Sequence, residues 1–317
     1  MKNIKETTIE KEPIVKKTNN KKQTDVLLIV DDIHKNYGKV EVLKGISFKV
    51  NVGEKIAIVG ANGAGKSTIS EIIAKVKEPT SGKLTYNFKE IKDDNDKIID
   101  LQEVKTKGEI SSNIGIQFQD SSYPDFYKVE DLVDFIIGAA KLKITKDEIE
   151  ELYETFDLTN MKKDVAKGLS GGQQQRLNIL LAIVNNPKLL ILDEVGTGLD
   201  VESRTKIKSY IKSYAAENNA AILLVSHNSD EVMELVDRVI VIHNGTIYSD
   251  LPLKNIIKEW KTFDSYMNNL YLKVFKKDLD LRANKSGREK SKKDKLDDKK
   301  EIKSEKEIKS KKDNKKE

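Results

Sequence analysis

The chain has 317 residues, 38% of them hydrophobic, with 57 Lys+Arg against 52 Asp+Glu. That is enough apolar material for one large core; the absence of cysteine excludes disulfides and thiolate-held metals, and three scattered histidines argue against a structural zinc. The net charge of +5 is unevenly spread, because residues 285–317 hold 15 basic and 9 acidic residues and the remainder is close to neutral, which argues against a nucleic-acid-binding body.

Residues 1–25 are polar and Lys-rich and are expected to be disordered. No apolar h-region follows Met1, and no apolar run approaches the roughly 18 residues that span a bilayer. A cytoplasmic protein is expected. From Val26 the pattern turns to Val-Leu-Leu-Ile-Val, a short strand. Lys55-Ile-Ala-Ile-Val59 is an apolar run ending in Gly60 and predicts a buried strand. Ile69, Ile72, Ile73 and Val76 then fall at helical spacing. Residues 89–110 are charged and aperiodic, and predict a surface excursion from a β-rich lobe.

Ile114-Gly-Ile-Gln-Phe118 alternates as a strand does. Residues 129–165 read as helical, with Leu132, Phe135, Ile136 and Ala139 on one face. Gly168 to Gly172 break the chain before a helix marked by Leu177, Leu180, Leu181 and Val184, stopped near Pro187. Leu189-Leu-Ile-Leu192 and Ala221-Ile-Leu-Leu-Val225 are continuous apolar runs that suit parallel strands covered on both faces. A helix with Ile207, Tyr210, Ile211 and Tyr214 lies between them. Val239–Ile242, Asn244-Gly245 and Ile247 predict a closing hairpin. Residues 253–275 form a last amphipathic helix, and 276–317 a charged, disordered tail. His34 and His243 lack any chemical context and read as surface residues.

Three strings carry the chemistry. Gly60-Ala-Asn62-Gly63-Ala-Gly65-Lys66-Ser67-Thr68, between a strand and a helix, is a P-loop. Its backbone N–H groups and helix dipole suit phosphate oxygens, Lys66 suits the β- and γ-phosphates, and Ser67 suits Mg²⁺. Leu189-Leu-Ile-Leu-Asp193-Glu194 is an apolar strand ending in two carboxylates. Asp193 sits where Mg²⁺ would be held, and Glu194 where an attacking water would be polarised. A third string, Leu169-Ser170-Gly171-Gly172-Gln173, opens a helix and offers a second anion-binding N-terminus.

With Gln119, Gly198-Leu199-Asp200 and His227 in the same order, residues 27–250 resemble the nucleotide-binding domain of ABC (ATP-binding cassette) ATPases. The resemblance implies an α/β fold: a P-loop NTPase core with a mixed sheet, an antiparallel β lobe and an α-helical subdomain over about 120–185. It implies that Tyr37 stacks on adenine, and that Gln119 is the Q-loop glutamine near Mg²⁺ and the water. His227 becomes the histidine at the γ-phosphate, and Asp200 the D-loop aspartate acting across a dimer. Ser170, Gly171, Gly172 and Gln173 would cap the ATP held by the opposite subunit. ATP and Mg²⁺ are the implied cofactors. The run Glu194-Val195-Gly196 departs from the family, which has Pro and then Thr or Ser after the glutamate.

The implied partner is a separate polytopic permease on the inner face of the cell membrane, with a second cassette that is either a copy of this chain or a paralogue. The strings Ile114–Gln119 and Thr197–Asp200 resemble exporters of the ABC-2 type; an importer stays open. So does a soluble single-cassette ATPase of cytosolic assembly or remodelling. The lysines of the tail allow a tether to anionic lipid.

Overall fold

The computed structural model describes residues 25–93, 98–118, 123–196 and 198–275. The chain divides into two compact units, with the boundary between Phe263 and Asp264. The disorder expected for 1–25 and for the tail from 276 falls outside the described residues except at Asp25, whose carbonyl accepts from Val52 N–H at 2.9 Å.

β1 (Val26–Tyr37) and β2 (Val40–Asn51) are antiparallel neighbours, and β1 is longer than the five-residue apolar run predicts. β3 (Lys55–Val59) leads through a glycine loop into α1 (Lys66–Ile73). Val76 lies beyond that helix and is exposed, so the apolar spacing outruns the helix by a turn. β4 (Ser81–Lys92) and β5 (Ile98–Val104) complete an antiparallel sheet of order β2-β1-β4-β5. The excursion expected over 89–110 is thus mostly hairpin. Most β5 side chains are exposed, which removes the alternation that betrays a half-buried strand.

α2 (Lys107–Ser112) precedes β6 (Ile114–Gln117). The stretch expected to be helical over 129–165 is α3 (Val129–Ala140), α4 (Lys146–Thr155) and one short 3-10 turn (Thr159–Met161), with a second (Ala166–Gly168) just beyond it. Thr145 caps α4 in a reciprocal box with Glu148, which is why a new helix starts there. The face of α3 that turns inward carries Val129 and Val133. Phe135 and Ala139, expected on the inward face, are exposed, and Leu132 and Ile136 are half-buried.

α5 (Gly171–Ile183) leads to β7 (Leu189–Asp193), α6 (Val201–Glu217) to β8 (Ala221–Val225), and α7 (Ser229–Leu235) to β9 (Arg238–His243). β10 (Thr246–Pro252) turns back on β9 at Asn244-Gly245, both at positive φ, as the hairpin reading expects. The second sheet has the order β10-β9-β3-β8-β7-β6, parallel except at β10. β7 and β8 are buried throughout. Each such Leu or Ile contributes about 1.5–3 kcal/mol by leaving water. The arrangement is the α/β fold with a mixed sheet, an antiparallel lobe and helical segments.

β3, β6, β7 and β8 run the same way, so their carboxyl ends open on one edge of the sheet. In such sheets ligands bind at that edge. The helix expected over 253–275 is broken. α8 (Leu253–Trp260) ends at Lys261, whose φ of 68° no continuing helix accepts. α9 (Phe263–Leu270) and a π-helical turn (Tyr271–Phe275) follow.

Candidate functional site

Loop 60–65 hangs from β3. Gly60 has φ 155°, and a Cβ there would stand 2.2 Å from the Ile242 carbonyl oxygen. Gly65, at φ 103°, caps α1 without any side-chain bond. The first N–H groups of α1 therefore present themselves to an anion. Asn62 and Gly63 are exposed at the loop tip, and Thr68 is half-buried in the first turn of α1. Lys66 Nζ donates to the carbonyls of Gly60 (3.0 Å) and Ala61 (3.2 Å). Burial lowers the Lys66 pKa, while Asp193 and Glu194 oppose that shift. Lys66 thus lies within electrostatic reach of the acidic pair.

Ser67 Oγ donates to Asp193 Oδ2 at 2.9 Å, joining the P-loop helix to the end of β7. Burial raises the Asp193 pKa, and the Ser67 bond works against it. A cavity of about 220 Å³ opens here, lined in part by Ser67, Glu71, Gln117 and Asp193. A hydroxyl beside a single buried carboxylate suits Mg²⁺, which takes hard oxygens and is commonly held by one or two carboxylates plus substrate phosphates. Among the described residues no cluster of three or more His, Cys, Asp or Glu is placed to hold a metal ion.

Glu194 follows in the left-handed region, at φ 55°. Its N–H donates to the Val225 carbonyl (2.9 Å), and its carboxylate Oε1 lies 3.3 Å from His227 Nδ1. His227 follows β8 directly and is well exposed. The structure therefore brings Lys66, Ser67, Asp193, Glu194 and His227 to one sheet edge, from three separate strand ends. Gln119 lies outside the described residues.

Ser170 caps α5: its Oγ accepts from Gln173 N–H (3.4 Å) and its N–H donates to Gln173 Oε1 (2.8 Å). Ser170 and Gly171 are exposed, ahead of an α5 buried on nearly every side. Gly172 packs so closely on the 198 turn that a Cβ would meet the Gly198 carbonyl oxygen at 2.8 Å. Asp200 is exposed and caps α6, accepting from Ser203 N–H (2.9 Å) and Oγ (2.7 Å). Tyr37 is 44% exposed, with Lys35 and Lys77 ammonium groups 5.2 and 5.8 Å from its ring centre. His34 is not a bare surface residue: it bridges Asp32 (3.2 Å) and Glu41 (3.3 Å). His243 is half-buried and meets the Asn244 amide.

The ABC transporter family model matches residues 43–196. The lipoprotein-releasing system ATP-binding protein LolD of Cytophaga hutchinsonii is 32% identical over 223 residues, 70% of this chain and 98% of LolD. The chain belongs to the ABC transporter ATP-binding proteins. It is an ATPase of that family and binds ATP. The energy-coupling factor transporter ATP-binding protein EcfA1 of Staphylococcus aureus is 33% identical, covering 66% of this chain and 74% of EcfA1. The methionine import ATP-binding protein MetN of Clostridioides difficile is 30% identical, covering 70% and 67%.

Among solved structures, the ATP-binding subunit of an ABC transporter aligns with a TM-score of 0.64 at 24% identity, over 76% of this chain and 98% of that one. A dimeric cassette in a post-hydrolysis state, bound to ADP and Pi, aligns with a TM-score of 0.59 at 23% identity, over 72% and 99%. These structural likenesses carry the fold. No helix among the described residues is long and apolar enough to cross a membrane.

Sequence reasoning missed four side chains around the acidic turn. Gln117 and Gln175 bond to the backbone of residues 193–195. Glu231 accepts from Gly196 N–H (2.8 Å), and Arg204 donates to the Leu199 carbonyl (3.0 Å). A glutamine in the apolar run Ile114–Phe118 was the one visible signal.

Proposed function

We propose that this chain is the ATP-hydrolysing subunit of an ABC exporter, driving a separate polytopic permease through ATP-dependent closure of a cassette dimer. The observation that carries the hydrolytic part of the reading is the Ser67–Asp193 bond beside the Glu194–His227 contact at one sheet edge. Residues 26–275 are the ATPase domain, with the helical subdomain over about 120–185. The exposed Ser170-Gly171 end of α5 suits a ligand presented by another molecule, as the sandwich reading requires.

Tyr37 stacks on adenine. The backbone of Gly60, Asn62, Gly63 and Gly65 and the N-terminus of α1 cradle the phosphates, with Thr68 in the first turn. Lys66 exchanges its loop carbonyls for the β- and γ-phosphate oxygens. Ser67, Asp193 and Gln119 would hold Mg²⁺, which supplies charge neutralisation at the phosphates when bound. Glu194 orients and polarises the attacking water, and His227, in contact with it, faces the γ-phosphate. Ser170, Gly171, Gly172 and Gln173 cap the ATP of the opposite cassette, and Asp200 sits at the joint between the two. Closure, released by hydrolysis, is the motion delivered to the permease.

The strings 114–119 and 197–200 support export. The protein is placed as a peripheral subunit on the inner face of the membrane, its tail near anionic lipid. The test is recovery of tagged Glu194→Gln protein with ATP from detergent-solubilised membranes. A stoichiometric polytopic partner, with no extracytoplasmic binding protein, is expected. Recovery with soluble partners alone would overturn the transporter reading. A partner that takes solute inward in vesicles would overturn export.

A further inference from the structure

Two buried glutamines stand behind the acidic pair. Gln117 is fully buried at the end of β6, and Gln175 is 6% exposed in the second turn of α5. Gln117 Oε1 accepts from Asp193 N–H at 3.0 Å, and its Nε2 donates to the Phe118 carbonyl at 2.6 Å. Gln175 Nε2 donates to two carbonyls, Glu194 and Val195, each at 3.1 Å. The two side chains meet, with Gln117 Nε2 lying 3.5 Å from Gln175 Oε1. Every polar atom of both amides has a partner, as burial demands.

The placement matters because of what Glu194 does with its backbone. A left-handed φ of 55° is costly for a residue with a side chain, of order 1–3 kcal/mol. It persists only where the surroundings hold it. Here the N–H is tied to Val225 in β8, and the carbonyl to Gln175 in α5. The carboxylate leaves the backbone between those two ties, and reaches His227 from there.

We infer that Gln175, backed by Gln117, is a positioning residue for hydrolysis: through its bonds to the Glu194 and Val195 carbonyls it sets where the Glu194 carboxylate points. The inference rests on the reading of Glu194 as the residue that polarises water. Gln117 lines the cavity beside Ser67 and Asp193, whereas the bonds of Gln175 go to the turn after β7, so Gln175 is the residue that separates hydrolysis from nucleotide binding. The helix that carries Gln175 begins at Ser170-Gly171. The end that caps the opposite nucleotide and the amide that holds this subunit's own glutamate therefore sit on one rigid helix.

The test is steady-state ATPase kinetics and fluorescent-ATP binding on the purified full chain. Gln175→Leu keeps the volume and removes the donor. A 1 Å displacement of a catalytic group costs up to about a hundredfold, so kcat should fall roughly 10- to 100-fold, with KM and the ATP Kd within about twofold. Gln175→Glu keeps the shape and turns an acceptor toward two carbonyls; its kcat should be lower still than that of the leucine variant. A role in packing alone would reverse that order. A leucine variant with kcat within twofold of wild type, or a loss carried by KM, overturns the inference. If Gln175→Leu fails to bind ATP through misfolding, Gln175→Met, whose unbranched side chain keeps the length and removes the donor, decides by the same split of kcat against KM. Glu194→Gln is measured alongside. Wild-type turnover in that variant sinks the reading of Glu194 itself, whereas an inactive Glu194→Gln beside a normal Gln175→Leu sinks only the inference.

Discussion

The phosphate loop and the acidic turn both leave carboxyl ends of parallel strands in one sheet, with β8 between their strands, yet they are held in different ways. Loop 60–65 owes its shape to its own glycines, at φ 155°, 75° and 103°, where neighbouring backbone or side chains leave Gly60 and Gly65 no room for a Cβ. The turn after β7 has a glutamate in the left-handed region, and is held by side chains from β6, α5, α6 and α7. Nucleotide binding is therefore locally encoded, and the geometry of hydrolysis is encoded by tertiary contacts. The first is robust to changes elsewhere. The second is adjustable by any motion of α5 or α7, which suits a step that must wait for a partner.

The largest effect expected from that contrast is at Gly60. Gly60→Ala forces a Cβ to within 2.2 Å of the Ile242 carbonyl, on a strand buried beside β3. We expect complete loss of ATP binding by fluorescence titration, and a thermal midpoint lower by several degrees; near-normal binding would show that the loop is less rigid than its packing implies.

Asp193→Asn probes the other region with opposite signs in two readouts. Burial raises the Asp193 pKa, so its stabilising contribution is present at low pH and is lost as pH rises through that raised value. At neutral pH the ionised group is a net cost in the nucleotide-free protein. The variant should abolish turnover while raising the nucleotide-free thermal midpoint at pH 7, because asparagine carries no charge to bury. That gain should shrink as pH falls toward 3.8. A lower midpoint at pH 7 would contradict the electrostatic account.

Glu231→Ala removes the acceptor of the Gly196 N–H, whereas Glu231→Gln retains one. The alanine variant should lose about ten- to a hundredfold in kcat with little change in ATP Kd, and the glutamine variant less than about threefold, since one hydrogen bond to a charged group is worth roughly 1.5–3 kcal/mol. Equal losses in the two would show that the turn does not need this bond. The smallest change is expected at Tyr37, which is half-exposed at the end of β1. Tyr37→Ala should raise KM for ATP by about three- to tenfold at constant kcat, and Tyr37→Phe by less than about twofold, because a stacked ring contributes roughly 0.5–1.5 kcal/mol.

Much of the nucleotide edge was legible in the sequence, because it is built from short strings. A buried apolar strand, a glycine loop and a helix over 55–73, or four aliphatic residues ended by Asp193-Glu194, need no tertiary information to be read. The β5 hairpin was illegible because its side chains face water on both sides. The inward face of α3 was misjudged because apolar Phe135 is exposed while the shorter Val133 is buried, and periodicity alone does not say which stripe has a neighbour. The break at Lys261 has no glycine or proline to announce it. Gln117 and Gln175 belong to strings that were read, yet their contact joins residues 58 positions apart. Only the packing of α5 on β6 and β7 brings them to the glutamate.

The central claim is that Glu194 drives hydrolysis in an ATP-closed dimer. It is tested most directly by measuring Glu194→Gln with and without ATP, by single-turnover hydrolysis together with sedimentation. The account predicts ATP binding as in wild type, hydrolysis slowed at least about a hundredfold, as loss of a general base implies, and an ATP-dependent shift from monomer to dimer. Turnover at the wild-type rate, or a protein that stays monomeric with ATP bound, would contradict it.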